Sequence, residues 1–113
     1  MQFHELERCR RKLLNHTNYT IGQLNSAKKI LIANGDILDA FHQHHAAQGQ
    51  CTKLLFIYDD SFTREINLQI QNPLAGAQTG GAEVAQCLAA IGSALPQYNL
   101  RQKYEAVRLI SKM

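Results

Sequence analysis

The chain contains no tryptophan, two prolines and three cysteines among its 113 residues. Cys9, Cys51 and Cys87 are odd in number, far apart and in no C-x-x-C arrangement, which argues against a disulfide framework and fits a reducing compartment. No window approaches the roughly 18 apolar residues needed to span a bilayer. The opening stretch, MQFHELERCRRKLL, mixes acids with bases and has no continuous apolar run, so it does not read as a signal or transit peptide and a cytoplasmic location is expected. The scarcity of proline, with 45% apolar and 19% charged residues, excludes extended disorder. A length of 113 residues leads us to expect a single domain, 1–113, too short for a catalytic and a regulatory domain together.

What is present is unevenly charged. Residues 1–35 hold six Lys or Arg against two acids, residues 36–99 hold two against six, and residues 100–113 hold four against one. Basic ends around an acidic middle suit steering of a polyanion or docking of one subunit's ends on another's centre.

From Leu6 to Leu31 the residues Cys9, Leu13, Thr17, Thr20, Leu24 and Ala27 recur at intervals of three and four, a helical seam near heptad spacing. Asn15, Thr17, Asn18 and Gly22 weaken it, so the pattern predicts one long helix or two with a break near 17. Gly35 is placed at the left-handed position after this helix and Asp36 at the N-cap of the next, which should end by Gly49. Leu54 to Tyr58 then form a five-residue apolar run, and Ile66, Leu68 and Ile70 alternate with Glu65, Asn67, Gln69 and Gln71. These are strand patterns, with Asp59, Asp60 and Ser61 as the turn. The last part is helical again: Val84, Leu88, Ile91 and Leu95 form a stripe, Pro96 stops it, and Asn99 caps a final helix whose inner face is Leu100, Tyr104, Val107 and Ile110.

The expected fold is therefore α+β: N-terminal helices, a central antiparallel β-hairpin from about Thr52 to Gln71, and two C-terminal helices. A lone hairpin is marginal in water, and pairing with a second subunit is the expected completion.

Four groups of residues carry candidate chemistry. The stretch GAQTGGAE places Thr79, Gly80 and Gly81 at a helix N-terminus, where free amides and the dipole attract anions, with Arg101 or Arg108 as a basic partner. It lacks the Lys and Ser or Thr of a P-loop, and Glu83 opposes an added anion, so tight packing is the plainer explanation of its glycines. Arg8, Arg10, Arg11, Lys12, Lys28 and Lys29 form a basic group suited to phosphate backbones, although nearby stacking aromatics are few. Asp39, His42 and His45 recur every three residues, a weak metal-ligand pattern that matches no zinc signature and reads more readily as a solvated helix end. Catalytic signals are thin: Asp59 and Asp60 suit a turn, Ser61, Ser93 and Ser111 occupy no nucleophile elbow, and no Cys-His signature is present.

The expected function is non-catalytic binding without a cofactor. The chain would act as a homo-oligomer, or homodimer, through a protein partner or by sequestering a small phosphorylated, nucleotide-like ligand at a subunit interface. A nucleic-acid-binding regulator is the alternative and a metal-dependent enzyme the third reading. No membrane partner is expected.

Overall fold

The computed structural model describes residues 3–71 and 82–113, and among them only helices occur. They are α1 (His4–Arg8), α2 (Arg10–Ile32), α3 (Ile37–Gln71), α4 (Ala82–Ala94), a 3-10 turn (Leu95–Gln97) and α5 (Leu100–Ser111). Packing divides the chain into two compact units, Cys9–Ile57 and a second made of Met1–Arg8 with Tyr58–Met113, so α3 contributes its first part to one and its second part to the other.

The expected β-hairpin is overturned, because residues 52–71 are the second half of α3. The apolar run of Leu54 to Tyr58 is not covered on both sides: Leu55 and Phe56 are exposed while Leu54 and Ile57 are half-buried three residues apart. Farther on, Phe62, Ile66 and Ile70 are four residues apart and share one helical stripe that enters the core. Glu65 and Gln69, which a strand would leave wet, are buried. Asp59 and Asp60 are mid-helix, paired with Lys103 at 2.8 Å and with Arg64 at 3.0 Å. Gln50 to Asn72 contains neither glycine nor proline, so nothing in the sequence breaks the helix. With no strand among the described residues, the need for a second subunit to complete a sheet falls away.

β-branched and hydroxyl side chains are accommodated by back-bonding. Thr17, Thr20, Thr52 and Thr63 each donate to the carbonyl four residues earlier, at 2.7–3.2 Å. Of the two forms expected for this stretch, one long helix or two with a break near 17, the unbroken helix is found from Arg10 to Ile32.

Between α2 and α3 the chain reverses in four residues. Asn34, not Gly35, takes the left-handed conformation, with φ of 55°. The Gly35 N–H donates to the Ile30 carbonyl at 2.8 Å and the Asn34 N–H to the Leu31 carbonyl at 3.3 Å, the paired bonds of a Schellman stop. A Cβ on Gly35 would lie 3.1 Å from Ile30 Cγ2, so the second position after the helix also favours glycine. Asp36 then caps α3 by accepting from the Leu38 N–H at 2.9 Å.

In the second unit, Ile66, Leu88, Ile91, Leu95, Ala106, Val107 and Ile110 form the core. Gly92 lets α4 approach α3 closely, since a Cβ there would meet Ile70 Cδ1 at 2.9 Å. Pro96 converts the end of α4 into the 3-10 turn, and Asn99 exchanges two hydrogen bonds with Gln102 to start α5. Lys103 is mostly buried on Asp59, while Tyr104, expected inside, is partly exposed.

Candidate protein-interaction face

The unit Cys9–Ile57 is a helical hairpin whose register is marked by His16 Nδ1, which donates to Gln50 Oε1 at 2.9 Å. That register sets Thr20 opposite Ala47 and Ala27 opposite Ala40, all four of them buried. On α2 the inward residues are Leu13, His16, Thr20, Gln23, Ala27 and Ile30; on α3 they are Ala40, Gln43, Ala47, Gln50, Leu54 and Ile57. Both series follow the three-and-four spacing of a coiled coil. Their side chains are mostly small or polar, which permits close approach of the backbones but spends little of the hairpin's apolar surface.

The large apolar side chains lie one position later. Leu14, Ile21, Leu24 and Leu31 of α2 are all exposed, between 46% for Leu24 and 56% for Leu14. On α3, Ile37, Phe41 and Leu55 are exposed too, Phe41 by 63%. One residue turns a helix by about 100°, and in an antiparallel pair that rotation moves both helices' side chains toward the same side of the hairpin. These residues therefore share one face. The opposite side carries Asn15, Asn18, Gly22 and Ser26 on α2 and His42, Gly49 and Lys53 on α3, with Tyr19 and Phe56 as its exposed aromatics. The Leu14 side is the richer in aliphatic side chains, while exposed aromatics stand on both sides.

Sequence reasoning found part of the inner seam and missed the outer one. Its series mixed the two, taking Leu13, Thr20 and Ala27 from the first and Thr17, Leu24 and Leu31 from the second. The signal was the repeated doublet Leu13-Leu14, Thr20-Ile21, Gln23-Leu24 and Ile30-Leu31, in which two seams run side by side.

The other candidate residues are not gathered into a site. Thr79, Gly80 and Gly81 lie outside the described residues. Arg101 is exposed, pairs with Glu105 at 3.1 Å and sits 5.3 Å from the centre of the Tyr104 ring, and Arg108 is exposed two turns farther along α5. Arg8 pairs with Glu5 at 3.7 Å. Arg10, Arg11, Lys12, Lys28 and Lys29 are exposed but spread around α2, since neighbours in sequence point about 100° apart. Asp39, His42 and His45 are exposed, and His45 stacks on Phe41 with centroids 5.8 Å apart. Among the described residues no group of three His, Cys, Asp or Glu is placed to hold a metal ion. Nor is any helix among them long and apolar enough to cross a membrane. Comparison with known protein families, with curated proteins and with solved structures gives no match to this chain.

Proposed function

We propose that this chain is a non-catalytic binding protein that engages a protein partner through the apolar face of its α2–α3 hairpin. The observation that carries this reading is the second three-and-four seam. Leu14, Ile21, Leu24 and Leu31 repeat the spacing by which helices pack on helices, yet they are exposed beside a first seam that is already filled. Contiguous apolar faces rimmed by polar residues mark interaction sites. An added helix laid along this face would convert a two-helix hairpin into a three-helix bundle, or a helical pair would make it a four-helix bundle.

Photocrosslinking tests the reading. Benzoylphenylalanine replaces Ile21 or Phe41 on the apolar face, and Asn18 or Ser26 on the polar face, in protein expressed in its native cells. Partner adducts from positions 21 and 41, with none from 18 and 26, are the expected result. Equal adducts from both faces would sink it.

A further inference from the structure

We infer that the occupant of this face is an acidic amphipathic helix of a protein partner, with Asp or Glu flanking an apolar heptad seam. The inference rests on the reading above and adds the partner's chemistry. Helix α2 carries five Lys or Arg and no acid over Arg10–Ile32. Lys28 occupies the outer seam itself, between Leu24 and Leu31, whereas Lys29 shares the side of Gly22 and Arg11 that of Asn18, each one heptad away. All three are exposed, and none forms an ion pair among the described residues.

Acids that might neutralise these bases from within the hairpin are elsewhere. Asp36 is spent on capping α3, and Asp39 falls on the side away from the apolar face. The unit Cys9–Ile57 holds six Lys or Arg against two acids, a formal +4. A second copy would bring the same +4 to the face, and like charges juxtaposed across an interface are costly. A negatively charged seam-bearing helix meets both requirements at once: leucine-like side chains cover Leu14, Ile21, Leu24 and Leu31, and flanking carboxylates meet Lys28 and the formal +4 of the hairpin. From Leu14 to Leu31 the face runs about 26 Å, which suits a partner helix of roughly 18 residues.

The test uses the full chain and two designed peptides of roughly 18 residues that share one leucine heptad seam. One peptide carries Glu at every flanking position and the other Lys. Fluorescence anisotropy should show the Glu peptide binding at least about ten-fold more tightly, with K28E/K29E abolishing or reversing that preference. Ile21→Glu should abolish binding of both peptides while leaving the far-ultraviolet circular dichroism unchanged. Equal binding of both peptides, lost in Ile21→Glu, would overturn the acidic partner but keep the docking face. No peptide binding, with a wild-type dimer in sedimentation that Ile21→Glu dissociates, would make a second copy the occupant and overturn the inference. Tight binding of a DNA duplex that is lost in K28E/K29E but indifferent to Ile21→Glu would assign the bases to a polyanion and overturn it as well. A wild-type monomer that binds neither peptide would sink both the inference and the reading beneath it.

Discussion

His16 and Gln50 are hydrogen-bonded at 2.9 Å across the hairpin, at nearly equal chain distances from the Asn34 turn. This polar pair sits in a seam built otherwise from Ala, Thr, Leu and Ile with Gln23 and Gln43, and it marks which residues face each other. His16→Ala leaves a half-buried acceptor without its donor and should cost about 1–3 kcal/mol. Replacing both residues by Leu removes the unmet acceptor and should recover most of that loss. Urea unfolding of the two variants beside wild type is the check.

Glu65 is 1% exposed, and both carboxylate oxygens lack a hydrogen-bond partner among the described residues. Taking such a group out of water without compensation is unfavourable, whereas a thioether of similar length is not. Glu65→Met should raise the thermal midpoint at neutral pH, by an amount corresponding to about 1–3 kcal/mol. A lower midpoint in calorimetry would mean that the carboxylate has a partner in solution.

Three glycines sort by the space around them. A Cβ on Gly22 or Gly49 meets nothing within 4 Å, and both lie inside helices. Gly22→Ala and Gly49→Ala should each stabilise by about 0.5–1 kcal/mol through reduced backbone freedom in the unfolded chain. Gly92→Ala should gain less or lose, because Ile70 Cδ1, 2.9 Å from the added methyl, must move first. Gly92→Val should be clearly destabilising. Denaturant midpoints of the four variants read this directly.

The core of the second unit is narrow, and Ile66 at its centre is fully buried. Ile66→Ala should cost about 2–5 kcal/mol, the range for truncating a buried aliphatic side chain. Ile21→Ser and Phe41→Ser, on the apolar face, should stay within about 0.5 kcal/mol because their side chains are already solvated. The same two serine variants should reduce binding of an apolar dye such as anilinonaphthalene sulfonate. Unfolding and dye titration on one set of samples separate the core from the face.

The helix ends were legible because caps are local chemistry. Asp36, Pro96 and Asn99 act where their side chains or rings dictate, whatever the remainder of the chain does. The middle of α3 was misread because Leu54 to Tyr58 and the Ile66, Leu68, Ile70 alternation carry strand propensity, which tertiary packing overrides. A helix samples Phe62, Ile66 and Ile70 on one side at intervals of four, and that period was hidden inside the alternation by Leu68, which is only half-buried. The glycine- and proline-free interval from 50 to 72 was the stronger clue. As for the interaction face, it required the antiparallel register before Leu14, Ile21 and Phe41 could be seen as neighbours, and no single helix contains that information.

The reversal between α2 and α3 is also an Asn-Gly dipeptide, the most deamidation-prone pair in ordinary protein chemistry. Ring closure requires the Gly35 nitrogen to attack the Asn34 side-chain carbonyl, expelling ammonia before water opens the succinimide to aspartate or isoaspartate. In the folded turn that nitrogen donates to the Ile30 carbonyl at 2.8 Å, a bond that must break before the nitrogen can attack. Ageing of the protein at this dipeptide is thus timed by how often the tip of the hairpin opens, and each event adds a negative charge and, in the isoaspartate form, an extra backbone carbon. The slow mass gain of a peptide spanning residues 30–38, followed over weeks, is a clock for that opening.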